Sequence, residues 1–226
     1  MNPPPNFNRL ARLYPWIELA TFGPSLTRCR FAFLPELRVS RSAIVLGDGD
    51  GRFTARLLSE NPLIQIDAVD ASESMLRALK RNAGIDSARV RIHRADARTW
   101  QPPSPPYDLI VTHFFLDCLT ADEIAALAAR LHSSLTPSAL WVVSDFAVPP
   151  GRFGWLIARP LITGLYLAFG LLTGLSVRRL PDHRNALRQA GFALLRQHPR
   201  LGGLLVSELW QPPANLSKLP HTRPLG

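Results

Sequence analysis

Residues 43–70, AIVLGDGDGRFTARLLSENPLIQIDAVD, constrain the fold of this chain more than any other stretch. An apolar run, Ala43 to Leu46, reads as a buried strand, and the turn Gly47-Asp48-Gly49-Asp50-Gly51 follows it. Phe53, Leu57 and Leu58 then fall on one face of a helix that Asn61-Pro62 ends. A second apolar run, Leu63 to Val69, closes at the carboxylate of Asp70. The result is a strand–turn–helix–strand unit with an acid at the tip of its second strand.

Alternating glycines let the backbone turn sharply and keep side chains out of the way of a ligand. The helix that follows points its free N–H groups at the same space. Asp70, beside that space, can accept hydrogen bonds from a ribose diol. The unit therefore predicts a nucleoside-bearing ligand. Arg52 stands where a dinucleotide fingerprint needs Gly or Ala, which disfavours nicotinamide and flavin dinucleotides. A phosphate-cradling loop with a Gly-Lys-Ser/Thr ending is absent. Asp48 and Asp50 repel phosphates but tolerate a cation, a charge pattern that suits the sulfonium and amino groups of S-adenosylmethionine.

On LGDGDGRF (46–53), VDASESML (69–76), ADA (95–97) and YDLIVTHFFLD (107–117), in that order and spacing, the chain resembles the class I S-adenosylmethionine-dependent methyltransferases from about Ser42 to Asp145. The resemblance implies an α/β, Rossmann-like fold: a seven-stranded, mostly parallel sheet with an antiparallel last strand. To it this chain adds an N-terminal helical cap and an apolar helical insertion before the last two strands. The resemblance also implies S-adenosyl-L-methionine as cofactor, held by Gly47, Asp48, Gly49, Gly51, Asp70, Ala71, Met75, Asp96, Ala97 and Thr112, with Asp96 toward the adenine amino group. No metal site is expected. The family usually carries an acid two residues before the first glycine, where it orients the methionine end of the cofactor. This chain has Val45 there, with Asp48 or Asp50 as the candidates to take its place.

The organisation along the chain is that of one domain. Residues 1–41 form the cap, with helices expected over Phe7–Tyr14, Trp16–Phe22 and Leu26–Leu34, split at Pro15 and at Gly23-Pro24. Residues 42–146 form the cofactor-binding core. In it, Ser72 caps a helix carrying Met75, Leu76 and Leu79, and strands follow at Val90–His93 and Leu109–Val111. The capping box Thr120-Ala-Asp-Glu123 opens a helix over Ala121–His132, and Leu140–Ser144 is the fifth strand. Residues 147–181 are the insertion or lid. Residues 182–210 return to the sheet, with a helix capped by Asp182 and strands Phe192–Gln197 and Leu204–Trp210 antiparallel around Gly202-Gly203. Residues 211–226 are a Pro-rich tail expected to be flexible.

The first and fourth strands are expected to be neighbours, and ligands bind at such a switch point, outside the carboxyl ends of the strands. The stretch Thr112 to Asp117 should therefore face the methyl donor. His113 is the first candidate to take a proton from an acceptor, because its ordinary pKa lies near neutrality; Asp117 is the second and His183 the third.

Residues 161–177 carry no charge between Arg159 and Arg178-Arg179 and would reach roughly 25 Å as a helix, short of a bilayer core of ~30 Å. A buried or lid helix is expected there, with a membrane-dipping segment as its rival. A hydrophobic small-molecule or lipid-like acceptor follows, with peripheral membrane contact as the associated partner expectation.

The net charge of +9, from 26 basic against 17 acidic residues, permits affinity for anionic surfaces. Without an aromatic–basic RNA-binding signature, nucleic acid is not the expected partner. Two distant cysteines, Cys29 and Cys118, and an N-terminal stretch without the apolar core of a signal peptide point to a cytoplasmic chain, membrane-associated if the insertion dips. Two other functions remain open: a binding or scaffold protein of the same fold, and an RNA methyltransferase. Aminopropyl transfer would call for an acidic amine-binding cluster after the fourth strand, and none is evident in the sequence.

Overall fold

The computed structural model describes residues 22–173 and 179–213, with residues 167–173 described in backbone only. The helices expected over 7–14 and 16–21, and the tail from 214 onward, lie outside the described residues. The strands are β1 (Ser42–Leu46), β2 (Gln65–Asp70), β3 (Val90–Arg94), β4 (Tyr107–His113), β5 (Leu135–Phe146), β6 (Ala193–Arg200) and β7 (Leu205–Gln211). They form a 7-stranded sheet in the order β3-β2-β1-β4-β5-β7-β6. β1 to β5 pair in parallel, and β7 lies antiparallel to both β5 and β6. The expected fold class and the β1–β4 pairing are both observed.

The helices are α1 (Ser25–Arg30), α2 (Arg52–Glu60), α3 (Glu73–Ala83), α4 (Ala121–His132), α5 (Arg159–Thr173) and α6 (His183–Gln189). Their starts follow local chemistry. The Ser72 hydroxyl accepts from the Met75 N–H at the head of α3, and Asp182 accepts from Asn185 at the head of α6. Thr120 and Glu123 satisfy each other's backbone N–H groups at the head of α4.

Alternating side chains divide the core between the two faces of the sheet. Ile44, Leu46, Ile110, Trp141, Val143 and Trp210 pack with Leu127 and Leu131 of α4 and Leu187 of α6. Ala43, Val45, Ile66, Leu109 and Val111 pack on the other face with Phe53, Leu57 and Leu58 of α2 and Leu79 of α3. Each such apolar side chain, fully buried, contributes about 1.5–3 kcal/mol.

Several boundaries differ from the sequence reading, three of them by three residues or more. α1 ends at Arg30 rather than continuing to Leu34, and a tight 3₁₀ turn with a proline near its start runs over Leu34–Val39. β5 begins at Leu135 rather than Leu140, because Leu135 pairs with Tyr107 before the register shifts between Tyr107 and Leu109. The polar stretch Thr136-Pro137-Ser138 hides that start from a hydrophobicity pattern. β6 extends to Arg200 through Pro199, which the end strand of a sheet tolerates.

The insertion is a helix with one packed side. A wide turn over Gly154–Ala158 leads into α5, and Ala158, Ile162 and Tyr166 pack with Leu204, Phe22, Phe146 and Leu180. No described helix is long and apolar enough to cross a membrane.

Candidate active site

The carboxyl ends of the central strands are level. Leu46 of β1 pairs with Val69 of β2 and with Thr112 of β4, and Thr112 pairs with Val143 of β5. The glycine turn, the Asp70 loop and the segment after β4 therefore open on one crevice.

Gly47, Gly49 and Gly51 all have positive φ, at 65°, 63° and 80°. Their surroundings differ. A Cβ on Gly47 would lie 2.4 Å from the Phe115 ring, and one on Gly51 2.5 Å from the Leu79 Cα. A Cβ on Gly49 would meet nothing within 4 Å. The sequence reading expected bare backbone along the whole turn. In the structure only Gly49 is open, while Phe115 covers Gly47 and α3 closes over Gly51.

Asp48 turns inward, and its carboxylate accepts from the Thr54 N–H at 2.9 Å, satisfying one of the free donors of α2. Asp50 is paired with Arg52 at 2.9 Å. Asp70 accepts from the Ser72 N–H at 2.7 Å. Burial pushes Asp48 up to about 6, against the favourable hydrogen bond from Thr54. Burial likewise pushes Asp70 up to about 6, and the nearby Asp48 charge adds to the shift. Two carboxylates thus face each other's field in a partly dry crevice, where a cation would be stabilised. Val45, by contrast, is an interior residue packed among the α2 and α3 side chains.

Of the other expected cofactor residues, Ala71 is exposed, and Met75 and Ala97 are buried. Both oxygens of Asp96 are held by Arg98, which also binds Glu123 of the α4 capping box. The hydroxyl of Thr112 accepts from the Trp141 indole N–H at 3.0 Å, so it is committed to the interior on the α4 side.

The expected proton acceptors are not brought together. His113 alternates onto the α2 face, 3% exposed, with its ring edge-on to Phe53 at 4.3 Å between centroids. Neither ring nitrogen has a partner among the described residues. Burial, reinforced by the Arg30 charge, holds its pKa well below the usual histidine value.

Asp117 lies on the opposite face. Its N–H donates to Asp145 Oδ2 at 3.1 Å, its carboxylate accepts from the Cys118 thiol, and its carbonyl accepts from the Tyr166 hydroxyl at 2.9 Å. Burial pushes Asp117 up to about 6 and Asp145 well above the usual carboxylate range. His183 is buried rather than on the surface, and it pairs with Glu208 Oε2 at 3.0 Å. Arg184 and the Trp210 indole bind the same Glu208 carboxylate.

Asp117 from the loop after β4 and Asp145 from the end of β5 meet as an acidic pair that the sequence reading did not anticipate. Neither residue signals the other locally. The parallel pairing of β4 with β5 was the available clue, since adjacent parallel strands end side by side. Phe115 and Tyr166 were likewise missed, because their roles depend on contacts distant in sequence. Among the described residues, no group of three or more His, Cys, Asp or Glu could hold a metal ion.

The residues fit an adenosyl sulfonium compound on three observations: the open backbone at Gly49, the two nitrogens of His113 without a partner among the described residues, and the half-buried acids Asp48 and Asp70, whose field favours a cation. Residues 44–138 match the model of a family described as a methyltransferase domain. The chain is 29% identical over 156 residues to the malonyl-[acyl-carrier protein] O-methyltransferase of Paenibacillus sp. (strain JDR-2), covering 66% of this chain and 54% of that one. It is 33% identical over 105 residues to the N-terminal Xaa-Pro-Lys N-methyltransferase 1 of Danio rerio, covering 46% of each. An O-methyltransferase family protein of Burkholderia thailandensis has the same fold, with a TM-score of 0.68 at 15% identity over 92% of this chain and 60% of that one. The chain spans about half the length of these curated relatives.

Proposed function

We propose that this chain, which carries a class I S-adenosylmethionine-dependent methyltransferase domain over residues 44–138, transfers the methyl group of S-adenosyl-L-methionine to a small hydrophobic or lipid-like acceptor. The observation that carries the reading is the pairing of Asp48 and Asp70 around the glycine turn, at the point where β1 separates β2 from β4.

When bound, the cofactor supplies a methyl carbon on a sulfonium that is already a good leaving group. The chain's task is then orientation and exclusion of water. In this reading Asp70 accepts from the ribose hydroxyls, Asp48 and Asp70 supply the field that holds a cation, and Gly49 lets the ligand approach the backbone. Ala71, Met75 and Ala97 line the adenosine side, with Asp96 beside them once Arg98 frees one of its carboxylate oxygens.

His113 stays neutral and offers a hydrogen bond. Asp117, at about 6, has the pKa better matched to taking a proton from an acceptor hydroxyl near neutrality. Tyr166 ties the apolar α5 to the Asp117 carbonyl, which supports an apolar acceptor entering under that helix. Peripheral contact with a membrane from a cytoplasmic location is the corresponding cellular reading.

One observation favours a second reading. Val45 is core, so the acid that usually orients the methionine end has no counterpart at that position, and a binding protein without transfer would tolerate this. The two separate cleanly. Titration calorimetry with S-adenosylmethionine is expected to show one site, and radiolabelled donor is expected to label apolar acceptors in extract. Binding without transfer would favour the second reading, and no binding would exclude both.

A further inference from the structure

Six of the eleven exposed large hydrophobic side chains among the described residues fall between Val148 and Leu161. Trp155, Leu156 and Ile157 are 69%, 58% and 54% exposed, and Val148, Phe153 and Leu161 beside them are also open. The inner side of the same segment is equally apolar, but Ala158, Ile162 and Tyr166 are buried against the body of the protein. A helix apolar on both sides, with only one side packed among the described residues, leaves its outer side to a second apolar phase.

The charge around it identifies that phase. No Asp or Glu occurs between Asp145 and Asp182, whereas Arg152, Arg159 and Arg179 are exposed along the segment. An exposed tryptophan with aliphatic neighbours and flanking arginines is the composition of a helix lying in a bilayer interface, its rings at headgroup depth and its guanidinium groups on anionic lipid. Among the described residues no helix is long and apolar enough to cross a membrane, and the inner side of this one is occupied by Leu204 and Phe146.

We propose that residues 153–161 are an interfacial anchor for an anionic phospholipid bilayer, with Trp155, Leu156 and Ile157 inserted and Arg152 and Arg159 on the headgroups. The anchor and the crevice are then two sides of one helix, since Tyr166 on its inner side binds the Asp117 carbonyl. Delivery of an acceptor from the bilayer rests on the methyltransferase reading; the anchoring does not.

The test is co-sedimentation of the full chain with vesicles of phosphatidylcholine, alone or mixed with phosphatidylglycerol. Binding to the mixed vesicles is expected to be about tenfold or more tighter than to phosphatidylcholine alone, and to weaken with salt. The triple variant Trp155→Ser, Leu156→Ser, Ile157→Ser is expected to lose vesicle binding about tenfold or more while its S-adenosylmethionine titration is unchanged. Arg152→Glu with Arg159→Glu, which leaves every packed side chain in place, is expected to lose the preference for phosphatidylglycerol and serves if the triple variant does not fold.

Wild-type protein that pellets with neither vesicle overturns the anchor, as does full binding by both variants. A wild-type dimer by light scattering that the triple variant abolishes, without vesicle binding, assigns the face to a second copy and also overturns it. A chain that binds vesicles but no S-adenosylmethionine would keep the anchor and remove the enzyme.

Discussion

The half-buried Asp48 and Asp70 on one side of the crevice, and the buried Asp117 and Asp145 on the other, are four carboxylates with different consequences. Each of the first two accepts a backbone N–H, from Thr54 and from Ser72, and each is pushed up to about 6. Near neutral pH both are mostly ionised, so the crevice holds charge that burial disfavours. In the second pair, burial and the Asp117 charge carry Asp145 well above the usual range, which favours its protonated form. The first pair is therefore placed to favour a cation, whereas the second relieves its own repulsion by favouring a neutral Asp145. The pairs differ in exposure as well, since Asp48 and Asp70 are half-buried and Asp117 and Asp145 are buried.

Asp70→Ala breaks the first pair and carries the largest expected effect. Hydrogen bonds to a charged group are worth about 1.5–3 kcal/mol, so S-adenosylmethionine affinity should fall about 10- to 100-fold by titration calorimetry. Asp70→Asn keeps an acceptor but loses the charge, and should fall between the two. Unchanged affinity in both variants would mean that the pair is an ordinary loop feature and that the contrast has no functional content.

A shift of pH probes the same pair without mutation. The folded-state value of about 6 for Asp48 and Asp70 lies above the ordinary 3.8. Stability from these groups in the unliganded protein is therefore full below the ordinary value and is lost as pH rises through about 6. A bound cation favours the ionised forms, so donor affinity runs the other way and weakens as pH falls through about 6. From pH 7 to 5 the loss should approach about tenfold for each group that must release a proton. Calorimetry across that window, beside thermal unfolding of the unliganded chain, should give slopes of opposite sign. Slopes of the same sign would place the cation elsewhere.

The two sides also differ in how much of them could be read in advance. The glycine turn, Asp70 at a strand tip, the Ser72 cap and the Thr120–Glu123 capping box are local patterns, and each is where the sequence put it. The Asp117–Asp145 pair, the Phe115 ring over Gly47 and the inward turn of Asp48 depend on which strand ends lie side by side. A single sequence carries that information only through topology. His113 shows the same limit: its position at the end of β4 was legible, but strand alternation turned it onto Phe53, away from Asp117. The insertion was legible as apolar, yet only the packing of Ala158, Ile162 and Tyr166 distinguishes its inner side from the exposed one.

The smallest expected effect tests the second pair, and its smallness is the point. Both oxygens of Asp145 accept main-chain N–H groups, Oδ2 from Asp117 and Oδ1 from Phe146. Asp145→Asn replaces one acceptor by a donor and so costs about one hydrogen bond, ~1 kcal/mol in urea unfolding near neutrality. Removing a charge from a buried ion network would cost about 3–5 kcal/mol instead. The pH dependence separates the cases further. A carboxyl whose folded pKa is raised lends stability that is lost as pH climbs through that raised value, so wild type should weaken as pH rises and Asp145 ionises. The asparagine variant has no proton to lose, and its stability curve should be flatter over the same rise. A large loss at neutral pH, with parallel curves above it, would mean that Asp145 is already charged and that the two sides of the crevice are electrostatically alike.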